Sequence, residues 1–275
     1  MSTGRVTAIL KPIFLLVIII AIWEIAAKQE WIPTSSVAAP TDVTRYMINN
    51  QSFLFDNVLR TLLEVSVAFV IVVIAGTTLA VLISQFRLLE ESLFPLLVAS
   101  QVVPSIAIAP LLVLFFGFGL APKIAVACVV AIFPILVNTV SGLKAMPQDM
   151  GDLARSMGAS RWQTLRRFSF PNALPYFFAG ARVSVTLAVI GAVVGEFITA
   201  DKGLGYLVIQ ASSTLDPALL FSALVCLAIM GLCLFSVIRV AEYLLVPWAR
   251  AVPWRSVRGS SKALGAPSEP IEVRA

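Results

Sequence analysis

The sequence contains no histidine, and only 13% of its 275 residues are charged. Without histidine the familiar serine–histidine–aspartate chemistry is excluded, and with only three cysteines a metal site is not expected. A G-x-x-x-x-G-K-[ST] phosphate loop is absent as well. We therefore predict a chain that is not an enzyme and binds no cofactor. If it moves a solute uphill, an ion gradient or a separate protein must supply the energy.

Hydrophobic residues make up 59% of the sequence, and the mean hydropathy is +0.94. Soluble proteins carry roughly a quarter charged residues, about twice the share found here. Apolar runs this long satisfy their backbone groups in lipid by forming helices. The composition therefore predicts an all-α integral membrane protein.

Six apolar windows are long enough to cross a membrane, for which about 20 residues are needed. They predict a transmembrane domain over 12–245, between a cytoplasmic N-terminus (1–11) and a flexible cytoplasmic tail (246–275). A secretory signal is the alternative for the first window, but no small-x-small cleavage site follows it. The windows are 12–27, 65–86, 92–122, 124–143, 174–199 and 217–238.

The lysines and arginines between the windows are distributed unequally over the two sides. One side, which carries both termini, has thirteen of them and the other has five. Positive charge is enriched in cytoplasmic loops, so both termini are predicted to be cytoplasmic in a multi-pass protein of the cell membrane. Since the basic residues are spread over short loops rather than one stripe, no nucleic-acid binding is expected.

Proline residues inside the third and fourth windows predict breaks that free carbonyl groups, which is tolerated only against protein or water. Polar side chains near such breaks are candidates for the pathway or gate, or they are simple interhelical hydrogen bonds. For Arg182 a structural role is the main interpretation, and for Glu196 an ion pair with Arg60. The candidate pathway residues are Gln101, Ser105, Asn138, Arg182 and Glu196.

A basic segment, 144–172, separates the fourth and fifth windows. Met150, Leu153, Ala154 and Met157 recur at helical spacing and predict one apolar stripe on a helix beginning at Pro147. Gly158 is a natural stop for that helix.

A second short helix is predicted to begin at Ser160, where Ser160 and Gln163 form a capping box, and to end at Pro171. The apolar stripe of the first helix must be buried against lipid headgroups, its own bundle or another protein.

The same segment resembles the EAA loop of ABC importer permeases. That loop has the form E-A-A, three residues, glycine, nine residues, I-x-L-P, and the spacing is kept here. Three chemical departures preserve charge or apolarity. The matching residues are Asp152, Leu153, Ala154, Gly158, Phe168, Phe170 and Pro171.

Three further stretches, 102–119, 133–147 and 195–208, look like permeases of the nitrate, sulfonate and taurine group. That group also includes permeases for thiamin pyrimidine precursors and riboflavin. The resemblance implies the type I importer fold, with an N-terminal helix and a five-helix core, and therefore six transmembrane helices.

The resemblance also implies partners. A cytosolic ABC ATPase would bind the ATP and receive the coupling helix, two permeases would pair as a homodimer in the lipid, and an extracytoplasmic binding protein would deliver the solute. A nitrate-, sulfonate- or taurine-like solute is the family default, with a pyrimidine precursor or riboflavin as the alternative. The residues implied to couple to the ATPase are Asp152, Leu153, Ala154, Met157, Gly158 and Pro171.

Two other classes of function stay open from the residues alone. An ion-coupled secondary carrier would act without an ATPase, and a membrane scaffold or signalling protein would use the basic segment to bind lipid or a partner.

Overall fold

The computed structural model describes residues 3–29, 37–198 and 201–248. Within these ranges every regular element is a helix, and no strand occurs. The helices are α1 (Thr3–Lys28), α2 (Pro40–Asn49), α3 (Gln51–Gln85), α4 (Arg87–Ser100), α5 (Ser105–Phe116), α6 (Leu120–Lys144), α7 (Gln148–Ser156), α8 (Arg161–Thr164), α9 (Phe170–Ile198), α10 (Leu204–Thr214) and α11 (Pro217–Leu245). The predicted all-α class is confirmed.

The core of the bundle lies where α3, α6 and α9 pack together, with α10 and α11 against them. Glycines bring α9 very close to α6. A Cβ atom on Gly191 would lie 2.6 Å from the Cα atom of Ala127, and one on Gly195 would lie 2.8 Å from that of Lys123. Small residues at such contacts let the backbones of membrane helices approach, where van der Waals packing replaces the hydrophobic effect.

Four helices among the described residues are long and apolar enough to span a membrane: Gln51–Gln85, Leu120–Lys144, Arg161–Ile198 and Pro217–Leu245. They contain the second, fourth, fifth and sixth predicted windows. The first window lies in α1, a helix of 26 residues. The count of six transmembrane helices stays a prediction.

The third predicted window, 92–122, is not one helix. It is divided into α4 and α5 by residues 101–104, and α5 has only 12 residues. Pro104 precedes the first residue of α5 with φ −60° and ψ 123°. Proline lacks an N–H group and disfavours helical geometry in the residue before it, so the chain leaves the helix here. The break predicted from the prolines is confirmed at Pro104, whereas Pro110 lies inside α5. In the fourth window the predicted break is wrong, because Pro134 lies inside the continuous helix α6.

Pro171 does not end the helix that begins after Ser160, so that prediction is wrong. The chain continues from α8 through a wider π-helical turn, Leu165–Ser169, directly into α9. The amide of Phe170 bonds to the carbonyl of Leu165, five residues back. Proline is normally excluded from a helix interior because its ring meets the carbonyl four residues earlier. The wider turn before Pro171 relieves that contact.

Local contacts fix the starts of two further helices. Asp216 accepts a 3.0 Å hydrogen bond from the amide of Leu219 and caps α11, in which Pro217 is the first residue. Helix α2 is short, and its Val43 is buried. Glu24 of α1 holds the start of α2, accepting hydrogen bonds from the amide and hydroxyl of Thr41 at 3.1 and 2.8 Å.

The predicted cytoplasmic tail, 246–275, begins at the end of α11, and residues 249–275 lie outside the described residues. Its flexibility is therefore untested.

Candidate functional site

Two groups of residues at opposite ends of the bundle carry most of the features singled out above. We call them the α7 end, which contains α7, α8 and the adjoining ends of α3, α6 and α9, and the α10 end, which contains the start of α10 and the helix ends packed around it. They differ in burial, charge and local structure.

At the α7 end, the residues of the predicted apolar stripe differ in burial. Ala154 is completely buried, whereas Leu153 is 55% and Met157 is 70% exposed. Met150 is exposed as well. The three larger side chains therefore form an exposed apolar surface beside the buried Ala154. The stripe's role in docking stays a prediction.

Gly158 ends α7 as predicted. Its φ angle is +70°, in the region that glycine alone enters without strain. The amide of Gly158 bonds to the carbonyl of Arg155 at 2.9 Å, and that of Ala159 to the carbonyl of Ala154 at 3.0 Å. A Cβ atom on Gly158 would meet nothing within 4 Å. The requirement for glycine is therefore one of backbone conformation and not of space.

The capping box that begins α8 is confirmed. The amide of Ser160 donates to Gln163 Oε1 at 2.8 Å, and the amide of Gln163 donates to Ser160 Oγ at 3.3 Å. Between α7, α8 and the end of α3 lies an open cavity of about 670 Å³, lined by Gln85, Asp152 and Arg155 among others. Asp152 forms an exposed ion pair with Arg155.

The α10 end is built around Glu196, which is completely buried. Glu196 Oε1 accepts a 2.6 Å hydrogen bond from the hydroxyl of Thr61 on α3, and Oε2 accepts one of 2.6 Å from the amide of Gly205. Thr61 Oγ1 also accepts from the amide of Leu204 at 2.8 Å, and Asn57 Oδ1 from that of Gly203 at 2.8 Å. Three helices, α3, α9 and α10, are joined by these bonds.

A buried ammonium group lies beside this carboxylate. Lys123 Nζ is 3.3 Å from Glu64 Oε1 and 3.2 Å from Asp201 Oδ1, and it donates to the carbonyl of Lys202 at 3.3 Å. Lys123 and Glu64 are both almost fully buried. Lys123 was counted among the loop cations above, but it lies in the first turn of α6 and ties the loop after α9 to that helix.

Asp201 is exposed, so water weakens its interaction with Lys123. Partial burial raises the pKa of Asp201, but the hydrogen bond from Lys123 and its positive charge outweigh this and hold that pKa below its ordinary value of 3.8.

The predicted ion pair between Glu196 and Arg60 is wrong. Glu196 is bound by Thr61 and Gly205 instead, while Arg60 is exposed. Successive residues on a helix are rotated by about 100°, so Arg60 points outward when Thr61 points into the bundle.

Arg182 is not isolated. Its Nη1 lies 2.9 Å from Glu242 Oε2, and the pair joins α9 to α11 with both side chains partly exposed. The ion pair with Glu242 favours the structural interpretation of Arg182, which stays a prediction.

The remaining pathway candidates lie near the break in the third window. Gln101 lines a cavity of about 400 Å³ between the break, α6 and α9. Asn138 donates to the carbonyl of Pro134 in its own helix at 2.8 Å. Ser105 begins α5, and its side chain lies outside the described residues. The five candidates therefore do not form one site.

Sequence reasoning missed Asn57, Thr61 and Glu64 as a group. These residues stand at i, i+4 and i+7, which places them on one face of α3. A polar stripe at helical spacing at the start of a long apolar helix was the signal that could have found them.

Among the described residues, four long apolar helices and a basic helical segment at one end define a helical membrane protein. Residues 72–251 match the family model described as the binding-protein-dependent transport system inner membrane component. The chain belongs to this family and is a multi-pass permease of the ABC importer class.

Two curated relatives indicate the range of solutes within this group. The formylaminopyrimidine transport permease protein of Halalkalibacterium halodurans is 35% identical over 88% of this chain and 96% of its own. The putative aliphatic sulfonates transport permease protein of Bacillus subtilis is 27% identical over 87% of each chain. The resemblance to this group is thereby confirmed.

A solved structure of the MetNI methionine ABC transporter in an inward-facing conformation has the same fold. The TM-score is 0.62 at 22% identity, covering 72% of this chain and 97% of that one. The match confirms the type I importer permease fold.

Proposed function

We propose that this permease imports a neutral, planar heterocycle of the thiamin-pyrimidine class. A solute-binding protein delivers the substrate at the α10 end, and a cytosolic ATPase subunit that binds the ATP is coupled at the α7 end. The observation that carries the substrate class is the lining of the cavity at the break between α4 and α5.

That cavity has a volume of about 400 Å³. Its described lining is apolar apart from the amide of Gln101, includes the ring of Phe133, and contains no charged side chain. A nitrate or sulfonate ion would have to leave water without a cationic partner there, which is costly. A flat heterocycle can pack against Phe133 and exchange hydrogen bonds with the Gln101 amide, which both donates and accepts.

The relatives support the same choice. Over nearly equal shares of this chain, the formylaminopyrimidine permease is 35% identical and the aliphatic sulfonate permease 27% identical. The nitrate, sulfonate or taurine default of the sequence analysis thus becomes the alternative, and riboflavin, a larger heterocycle, is the second.

The test is uptake by proteoliposomes that contain the permease, its ATPase and its binding protein. We expect ATP-dependent accumulation of a formylaminopyrimidine and none of nitrate or taurine. Gln101→Leu should reduce this uptake, whereas Gln51→Leu, which replaces an exposed amide at the start of α3 away from the break, should not. Accumulation of taurine or nitrate but not of the pyrimidine would refute the substrate class.

Its positive charge supports a cytosolic position for the α7 end. Arg87, Lys144, Arg155, Arg161, Arg166 and Arg167 lie at or beside it, whereas the α10 end carries fewer lysines and arginines. Cytoplasmic loops are enriched in such residues. Tagging each end and labelling intact cells with a membrane-impermeant reagent tests this orientation, with labelling of the α10 end alone as the expected result.

The apolar surface of α7 supports docking to the ATPase. Burying Met150, Leu153 and Met157 would contribute about 1.5–3 kcal/mol each at most, enough for a subunit interface. In a background without the native cysteines, Met157→Cys should cross-link to the ATPase subunit. Ala154→Cys is the matched control, because Ala154 is buried in the same helix and should not react. Cross-linking to lipid alone would favour the headgroup interpretation of the basic segment.

A second copy of the chain would close the pathway. The break between α4 and α5 leaves apolar side chains exposed at the cavity, including Val102 and Val103. Lipid tails could also cover these apolar side chains. A pathway that is open to lipid on one side could not, however, hold a polar solute. Val102→Cys should therefore form a disulfide-linked dimer in native membranes under mild oxidation, and a monomer alone would contradict the pairing.

A further inference from the structure

The start of α10 is capped in an unusual way. The first amides of a helix have no partner within the helix and are usually satisfied by the side chain of the N-cap residue. Here the N-cap is Gly203, which has no side chain. The amides of Gly203, Leu204 and Gly205 bond instead to Asn57, Thr61 and Glu196, at 2.8, 2.8 and 2.6 Å. All three capping side chains belong to other helices.

The two glycines leave room for this cap. A Cβ atom on Gly205 would lie 2.7 Å from Glu196 Oε2, and one on Gly203 would collide with the same carboxylate. The carboxylate also lies at the positive end of the α10 dipole, which favours a negative charge there. Glycine at positions 203 and 205 therefore leaves the space that the Glu196 carboxylate of α9 occupies.

The helices that supply the cap continue to the other end of the molecule. At 1.5 Å per residue, α3 and α9 are about 50 and 40 Å long. The far end of α3, at Gln85, lines the cavity beside α7, and α9 is continuous through the π-helical turn with α8. The cap therefore joins α10 to helices that reach the α7 end.

We propose that α10 is the surface on which a loaded solute-binding protein acts, and that Thr61 and Glu196 are positioning residues that transmit this contact to α3 and α9. The inference rests on the proposed function, since it takes its partner from there. Thr61 is the central group, because its hydroxyl donates to Glu196 and accepts from Leu204.

Thr61→Val removes both bonds at nearly constant volume. Thr139→Val is the matched control: Thr139 is equally buried in the same bundle, but its hydroxyl bonds only to the carbonyl of Ile135 in its own helix, at 2.6 Å. Thr61→Ser restores the hydroxyl and should restore the wild-type behaviour.

Two measurements on the assembled transporter decide the matter. Hydrogen exchange in the peptide covering 203–214 should become at least about tenfold faster in Thr61→Val, which corresponds to roughly 1.4 kcal/mol. The ratio of ATPase activity with the loaded binding protein to that without it should fall at least about fivefold, which corresponds to roughly 1 kcal/mol. Thr139→Val should change neither quantity.

If hydrogen exchange over 203–214 in Thr61→Val proceeds at the wild-type rate, the cap does not anchor α10. If exchange is faster but the loaded binding protein still stimulates the ATPase fully, the cap does not transmit the contact. If Thr61→Val does not assemble, Asn57→Ala gives the same comparison, since it removes the bond from Gly203 together with one bond to the carbonyl of Phe53 within α3. A wild-type transporter that the binding protein does not stimulate would refute the proposed function instead, and the exchange measurement would still judge the cap.

Discussion

At the α10 end, charged and polar side chains from three helices are buried and bound to one another, as Glu196, Thr61, Glu64 and Lys123 illustrate. At the α7 end, Asp152 and Arg155 are exposed and pair within one helix, and Leu153 projects away from the bundle. The first arrangement fixes a surface to the core, because breaking a buried network leaves unpaired groups. The second leaves a surface free to bind something else. A transporter that passes a signal between its ends needs both kinds.

The most damaging change to the α7 end is expected from Gly158→Val. A non-glycine residue in this conformation costs about 1–3 kcal/mol, and a branched one is at the upper end, so uptake should fall about 100-fold. The measurement is uptake at equal permease abundance in the membrane. Gly151→Ala in the same helix is the control, since its Cβ atom would lie at an ordinary 3.4 Å from Met146 and should be tolerated. If uptake by Gly158→Val stays within twofold of the wild type, the backbone conformation at the end of α7 is not required for transport.

A smaller effect is expected when the exposed apolar surface is made polar. Leu153→Asp removes a contribution of about 1.5–3 kcal/mol to the interface and should weaken co-purification of the ATPase about 10- to 100-fold. Membrane insertion should be unaffected, because Leu153 does not pack against the bundle. Leu245→Asp is the control, since Leu245 is comparably exposed at the end of α11 and outside α7. Unchanged co-purification would show that α7 is held by something other than its apolar surface.

The ion pair between Arg182 and Glu242 lies between the two ends and should matter less than either. A double-mutant cycle with Arg182→Gln and Glu242→Gln is expected to give a coupling of about 1 kcal/mol, since both side chains are partly exposed. The thermal midpoint of the purified protein should fall by about 2–4 °C in each single variant. Transport per folded molecule should be unchanged. A loss of transport at normal stability would instead make Arg182 a substrate-binding residue.

The smallest effect is expected at the exposed edge of the α10 end, from Asp201→Asn. The pKa of Asp201 is held below its ordinary value by Lys123, so the carboxylate stabilises the folded state at pH values above its unfolded pKa. This contribution disappears as the pH falls through the lowered folded pKa. The thermal midpoint of Asp201→Asn should be slightly below that of the wild type at pH 7, and the two should converge in acid. A difference that grows in acid would contradict the assigned sign.

The two ends also differ in how far they could be predicted. The capping box at Ser160 and the stop at Gly158 depend on residues within four positions of one another, and both were found from the sequence. The partners of Glu196 are 135 residues away at Thr61 and nine away at Gly205, and the predicted partner, Arg60, was the wrong neighbour on the right helix. Position along a helix could be read from the sequence, but the face that each residue presents to another helix could not.

Pro171 and Pro104 show that a proline alone does not determine where a helix ends. Both residues were predicted to interrupt a helix, yet only Pro104 does so. The π-helical turn before Pro171 keeps the chain helical, and it forms where the segment packs between α6 and α9. A proline signals a missing hydrogen bond, and the surrounding packing decides whether the helix ends.

By itself, the amino-acid sequence determined that the chain is a helical membrane protein, where most of its long helices lie, and that the first helix of the basic segment ends at Gly158. These properties follow from hydropathy and from interactions within a few residues. Only the tertiary structure decided that Ala154 faces inward while Leu153 faces outward, and that the start of α10 is capped by side chains from α3 and α9. Such contacts depend on how helices rotate against one another, and that rotation is set by close packing at residues such as Gly191 and Gly195.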